Sequence, residues 1–388
     1  MAIERFRKNA QKSKESFSDY TLLFIVLFLL AFGLVMLYSS SAYDANLTYN
    51  DSTYLFRKQI FSTLAGLVVL FITAHLPYHI WERVAVLGYG ISVVLVLLII
   101  PFGIEANGAK RWLRIMGISL QPAEVAKLAM ILFLAYIICR MKRRIRTMKG
   151  FLFVLGLAAP MSLLIYVITR NLSSAIIIFG IAFVMLFVAC PDYKRFILLG
   201  LAGVAVAAIV VFAVVKMAEG NNMGMGFRGE RILAWLDPEA YASGKGFQTL
   251  QALYAIGSGG ILGKGLGQSM QKLGFLPEAQ NDMIFSIICE ELGLFGAIAV
   301  LFMFLLLIWR CMIIANNAPD LFGALLVVGV MGHIAIQVIL NVAVVTNTIP
   351  NTGISLPFIS YGGSSVMFLL AEIGIVFSVG RGIQLKDL

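Results

Sequence analysis

Charge is what this chain has least of. Only 13% of its 388 residues are Asp, Glu, Lys or Arg, while 60% are hydrophobic; soluble domains carry about a quarter charged residues. A water-soluble globular protein is thereby excluded. Cysteine is also scarce: Cys139, Cys190, Cys289 and Cys311 are far apart and form no CxxC pair, so neither a zinc site nor a disulfide framework is indicated. They read as small apolar fillers of helix ends. No GxxxxGK[ST] motif occurs, and the glycine runs Gly257-Ser258-Gly259-Gly260 and Gly263-Lys264-Gly265-Leu266-Gly267 lack a βαβ context, which argues against nucleotide binding. The first residues have no short apolar core with a cleavage site, so they read as a tail rather than a signal peptide.

What is present is a series of long apolar runs. Crossing a hydrocarbon layer of ~30 Å takes roughly 20 helical residues, and such runs lie near 20–39, 59–76, 82–101, 122–139, 151–168, 173–190, 195–216, 283–309, 320–342 and 361–380. They are continuous rather than alternating, and backbone groups in lipid must be satisfied internally, so they predict helices and not barrel strands. The expected fold class is an all-α integral membrane protein of about ten transmembrane helices with a large ordered extracytoplasmic loop between helices seven and eight. The expected divisions are a cytoplasmic tail (1–19), helices 1–7 (20–217), the loop (218–281), helices 8–10 (282–380) and a cytoplasmic tail (381–388). Lys and Arg cluster in cytoplasmic loops. Arg5, Arg7, Lys8, Lys12 and Lys14, the 140–149 loop, Lys194, Arg195, Arg310, Arg381 and Lys386 all fall on that side of this map. The net charge of +10 is then topological and meets anionic lipid headgroups; no nucleic-acid partner is needed.

Several polar features break the apolar pattern. The outer loop 102–121 carries Lys110, Arg111 and Arg114 beside Trp112, against the charge rule, and these groups can hold an anion or touch ordinary lipid. Pro122 and Glu124 suit the first turn of a helix, whereas Lys127, on the same face, needs a partner or a water-filled cavity; both are expected to face a cavity inside the bundle. The segment 218–281 is too polar to span and too long for a passive connector. Its aromatic content predicts an ordered loop with short amphipathic helices around 230–236 and 246–257.

Asp282 stands at the mouth of helix eight, where partial desolvation lifts a carboxylate toward the range of a useful base, although it could equally be an N-cap. Glu290, Glu291 and Glu372 lie inside helices and must pair or face water; ion pairing with Lys127 or a loop arginine is the expectation. His333, Gln337 and Asn341 recur at four-residue spacing, a stripe expected to hydrogen-bond between helices. His75 and His79 read as surface residues of a cytoplasmic turn. The 350–365 stretch, with Ser360 and Ser364, could cap helix ten or bind a sugar.

Taken together, Ala109-Lys110-Arg111-Trp112, Gln121 to Lys127, Gly246-Phe247-Gln248 with Gln251 to Gly267, Leu276 to Asp282, Glu290-Glu291-Leu292-Gly293 and Pro357 to Ser365 closely resemble the SEDS family (shape, elongation, division and sporulation). The likeness runs from helix one through helix ten. It is nearer to the FtsW and SpoVE branches than to RodA. The resemblance implies a peptidoglycan glycosyltransferase that polymerises lipid II by inverting β-1,4 transfer during cell division, in the bacterial cytoplasmic membrane with both termini cytoplasmic. Asp282 matches the family's essential aspartate, and Glu124 and Lys127 match a pair lining its central cavity.

The candidate substrate-binding set is Lys110, Arg111, Glu124, Lys127, Arg228, Arg231, Gln251, Ser360 and Ser364, with Glu290, Glu291 and Glu372 as structural groups. Implied partners are lipid II and the growing strand, a class B penicillin-binding protein, other division proteins and membrane lipids. No metal cage is legible; a divalent cation, Mg or Mn, is the one cofactor left open. Where the family carries an acidic signature at helix six, this chain has Arg170-Asn171-Leu172-Ser173-Ser174-Ala175, so the role of that loop stays open. The rival readings are a flippase for lipid-linked precursor and a non-enzymatic division scaffold.

Overall fold

The computed structural model describes residues 19–106, 109–115, 118–190, 192–219, 227–244 and 246–383. Most of the basic N-terminal tail, Lys386 and the side chain of Arg228 lie outside them. Among the described residues, ten helices are long and apolar enough to cross a membrane. They are α1 (Tyr20–Tyr49), α2 (Tyr54–His75), α3 (His79–Phe102), α4 (Pro122–Met141), α5 (Met148–Thr169), α6 (Leu172–Ala189), α7 (Tyr193–Glu219), α10 (Ile284–Asn316), α11 (Leu321–Val345) and α12 (Gly363–Gly380). Two shorter helices, α8 (Phe227–Leu236) and α9 (Phe247–Gly259), lie between α7 and α10, where the loop aromatics predicted them. The chain is a multi-pass membrane protein.

The helix boundaries follow from local chemistry. Asp19 caps α1 by accepting from the Leu22 amide at 2.9 Å, and its other oxygen binds Arg310 at 2.7 Å. Asp320 caps α11 through the Gly323 amide and also receives the Tyr78 hydroxyl at 2.9 Å. Burial, and after it the contact with Asp320, raises the phenol's pKa. Asn171 caps α6 through the Ser174 amide at 3.1 Å, so the position departing from the family signature still starts its helix. His79, exposed as expected, also reaches Asp320 at 2.9 Å.

Two departures from the sequence reading matter. Helix α1 runs on to Tyr49 instead of ending near 39, because its polar last turns pack on the loop and on α10: Lys272 and Glu291 both bind Ser39, and Gln280 binds Asp44. The 102–121 loop is a three-stranded antiparallel sheet, β1 (Ile104–Ala106), β2 (Ala109–Ile115) and β3 (Ile118–Leu120), in the order β1-β2-β3. Lys110 and Arg114 are exposed on β2 while Leu113 is buried, a period-two alternation that helix-length windows pass over.

Close packing sets the bundle. Helix α12 lies against α2 with Gly374 so near that a Cβ there would strike Thr73 and the Leu70 carbonyl, the small-residue contact that lets membrane helices approach. No residue in the apolar window of α7 is buried. Its Phe196 ring, at the end away from the loop, makes edge contacts with Phe151, Phe183 and Phe187 at 5.1–5.3 Å. Helix α10 is broken at Gly293, whose φ is +68°. There the Lys264 and Gly265 amides bond the carbonyls of Glu290 and Glu291, and the Leu294 and Phe295 amides bond those of Gly260 and Ile261. The break therefore leaves its backbone paired with the loop, as a membrane-embedded chain requires.

Candidate active site

Asp282 sits in a turn just before α10. Glu278 begins that turn with φ +56°, and its carbonyl accepts from the Asn281 and Met283 amides. The N-cap of α10 is Met283, with no side-chain capping bond, so the capping alternative for Asp282 does not hold. Asn341 of α11 donates to the Asp282 carbonyl at 2.9 Å and to that of Ile354 at 2.7 Å. The 350–361 segment covers the turn: the Tyr361 amide bonds Gln280 O at 2.9 Å and the Ser360 hydroxyl bonds Asn281 O at 2.6 Å. Held this way, the carboxylate keeps Oδ1 buried and without a hydrogen-bond partner among the described residues.

That environment changes the acid. Burial and the neighbouring Glu278 raise its pKa to about 7, while Arg231 and Arg111 pull it back. Arg111 comes from β2 and donates to the Thr169 carbonyl at 3.3 Å; Arg231 comes from α8 and donates to the Asn351 carbonyl at 3.3 Å. Burial lowers the pKa of each guanidinium, and the charge of Asp282 opposes that shift in both. A carboxylate whose pKa is lifted toward neutrality can accept a proton, and nearby guanidinium groups can carry the charge of an anion.

The other expected residues divide. Glu124 and Lys127 form a buried ion pair of 2.8 Å. Gln337 lies 3.5 Å from Lys127 and Ser365 lies 3.4 Å from Glu124. Lys110 is exposed on β2. Ser360 donates its hydroxyl to Asn281 O at 2.6 Å and accepts from the Leu356 amide at 2.7 Å, so it ties the covering segment to the Asp282 turn. Ser364 has a buried hydroxyl without a partner among the described residues. Gln251 is half-buried on α9, but the side chain tied to the site is Gln248, which accepts from Asn351 at 2.8 Å and donates to Pro277 O at 3.1 Å.

The buried acids do pair, with partners other than those expected, since Glu124 already occupies Lys127. Glu290 binds Lys264 at 2.7 Å, the Ser269 hydroxyl and the Met270 amide. Glu291 binds Lys272 and Ser39, each at 2.7 Å. Glu372 binds His333 at 2.8 Å. The polar stripe of α11 is thus spent on Glu372, on Ser355 and Lys127, and on the Asp282 turn. Gln248, Asn341 and Asn351 are the site residues that the sequence did not single out as such. Only the four-residue spacing of Asn341 pointed inward.

No group of three His, Cys, Asp or Glu side chains able to hold a metal ion occurs among the described residues. The cations facing Asp282 are guanidiniums. The described residues do not fit a protein-built metal cage.

Residues 20–384 match the FtsW/RodA/SpoVE family of cell cycle proteins. The chain is 38% identical to stage V sporulation protein E of Bacillus subtilis over 372 residues, 95% of this chain and 98% of that one. It is also 38% identical to the probable peptidoglycan glycosyltransferase FtsW of Trichlorobacter lovleyi, covering 95% of each. Among solved structures it superposes with TM-score 0.74 at 29% identity on a chain of a peptidoglycan synthase complex that coordinates polymerization and crosslinking, covering 94% and 98% of the two chains. With the rod shape determining protein RodA of Thermus thermophilus the TM-score is 0.62 at 26% identity, covering 94% and 97%. The chain belongs to the FtsW/RodA/SpoVE family of cell cycle proteins, the SEDS family.

Proposed function

We propose that this protein is a peptidoglycan glycosyltransferase that polymerises lipid II, with Asp282 as its general base. The observation that carries the reading is the placement of Asp282, a carboxylate fixed in the turn before α10 by Asn341 with its Oδ1 buried and unpartnered among the described residues, on the face of the bundle that bears the loop, where the charges of Arg231 and Arg111 act on it. The name of the Trichlorobacter relative supports the reaction class.

An alcohol is a poor nucleophile at neutral pH. As the 4-hydroxyl oxygen of the acceptor sugar attacks the anomeric carbon of the donor, its proton passes to Asp282. The C1–O bond to the diphosphate breaks on the opposite face, and α-linked donor becomes β-linked product. The departing polyprenyl diphosphate keeps the electron pair, and Arg111 and Arg231 neutralise it, with Lys110 within reach of solvent beside them. Because the leaving group is already a stabilised anion, the second carboxylic acid of an inverting glycosidase is not needed. The undecaprenyl tails stay in the bilayer while the sugars react at its surface.

In this reading the loop face is extracytoplasmic, both termini are cytoplasmic, and the membrane is the bacterial cytoplasmic one. A class B penicillin-binding protein supplies crosslinking, in keeping with the complex containing the structural relative. Division or sporulation is the process it serves, since the FtsW and SpoVE relatives are both close. The test is lipid II polymerisation by the purified protein with its cognate penicillin-binding partner, alongside lipid II translocation in the same vesicles. Polymer without translocation supports the transferase; translocation without polymer makes it a flippase, and neither activity leaves a scaffold.

A further inference from the structure

On the loop face a cavity of about 240 Å³ opens between α8 and α9, lined by Arg231, Trp235, Phe247, Gln248, Pro277 and Asn351. Its walls are tied together. The Trp235 indole donates to Asn347 O at 3.0 Å, and the Asn347 amide returns a bond to Trp235 O at 3.2 Å. Asn351 bonds Gln248, Gln248 bonds Pro277, and Arg231 bonds Asn351. Phe247 contributes an exposed ring. The cavity adjoins the base: a Cβ on Gly353 would lie 3.7 Å from Asp282 Oδ2, and the two residues from Asn351 to Gly353 span at most about 7 Å.

Aromatic faces beside fixed amides and a guanidinium match a sugar, whose C–H faces stack on rings while its hydroxyl and acetamido groups seek hydrogen bonds. The volume lies below the ~300–1,000 Å³ of pockets for drug-sized ligands and suits one pyranose ring better than a lipid chain or a folded partner. Preorganised walls reduce the ordering cost of binding a flexible glycan. Building on the transferase reading, we propose that this cavity is a saccharide subsite that holds one N-acetylhexosamine ring next to the ring reacting at Asp282. Trp235 and Phe247 are its stacking walls, and Gln248 and Asn351 are its polar contacts. The ring belongs either to the growing strand or to the incoming precursor.

The experiment uses the full-length Asp282→Asn protein in nanodiscs, which cannot consume substrate, with a soluble N-acetylglucosamine tetramer as probe and saturation-transfer NMR as readout. Saturation transfer to the probe is expected, with apparent affinity about tenfold weaker in Phe247→Ala and restored in Phe247→Tyr, as loss and return of one stacked ring require. No transfer in Asp282→Asn, or equal transfer in Phe247→Ala, overturns the subsite. Lipid II polymerisation by the wild type is scored separately, so a failed subsite and a failed transferase reading give different results. In the otherwise wild-type background, shorter strands from Phe247→Ala assign the ring to the growing strand. A raised KM for lipid II at unchanged strand length assigns it to the precursor.

Discussion

A single side chain amide, that of Asn341, holds the backbone carbonyls of Asp282 and Ile354 at 2.9 and 2.7 Å. Helix α11 thereby fixes both the turn that presents the carboxylate and the segment that covers it. Replacing Asn341 with Leu leaves two carbonyls without their donor, at a cost of about 1–3 kcal/mol for a buried unsatisfied group. We expect kcat for lipid II polymerisation to fall by about tenfold or more, with a smaller change in KM, because the base is displaced and not removed. Kinetics of the purified variant with matched thermal stability check this.

The pKa of Asp282 sets the pH profile. A base at about 7 must be ionised, so the rate should rise with pH through that value and then level off. Glu278 raises the pKa and Arg111 and Arg231 lower it. Glu278→Gln should therefore move the midpoint to lower pH, and Arg231→Gln should move it to higher pH. Rate profiles of the three proteins between pH 5.5 and pH 9 (an assay range that brackets a base of about 7) decide it.

The same shift has a cost in stability. The folded-state pKa lies above the ordinary carboxylate value of 3.8, so between the two the folded state binds more protons, and stability falls as pH rises through that window. Asp282→Asn should raise the melting temperature at pH 8 more than at pH 5. Equal shifts at both values would count against a base whose pKa is raised by burial.

Legibility from sequence was uneven, for physical reasons. The ten spans stand out because lipid demands long uncharged runs, and Glu290, Glu291 and Glu372 could be read as paired because a buried acid has little alternative. Which cations would pair with them could not be read. Lys264 and Lys272 reach them only because α10 breaks at Gly293 and the loop folds onto the break. The β-sheet that presents Arg111 is too short for a span-length window, and Gln248 and Asn351 meet from segments about a hundred residues apart. Asp282 was visible by its position at a helix mouth, and Glu278 shares its turn, yet Arg231 and Arg111 are brought to it by tertiary structure.

The loop anchor can be tested through its charges. Lys272 and Glu291 are both buried, and removing one partner of such a pair costs about 3–5 kcal/mol, whereas replacing both with apolar groups is far milder. We expect Lys272→Met and Glu291→Leu to lower thermal stability sharply on their own and the double variant to recover much of the loss. Additive losses in the double variant would rule out a direct pair.

Gly293 tests the broken helix. Its φ of +68° with ψ of −168° lies in a region open essentially to glycine alone, costing another residue about 1–3 kcal/mol, and a Cβ there would collide with the backbone of Gly263 and Ile261. Gly293→Ala should reduce yield of folded protein in detergent and detach the 260–276 loop, seen as new protease sensitivity within it. Unchanged yield and protection would contradict the break.

The most direct measurement is glycan polymerisation on lipid II by wild type and Asp282→Asn, each purified with the penicillin-binding partner and matched for folding. The account requires long polymer from the wild type and none from the variant. Equal polymer from both would contradict it by removing Asp282 as the base.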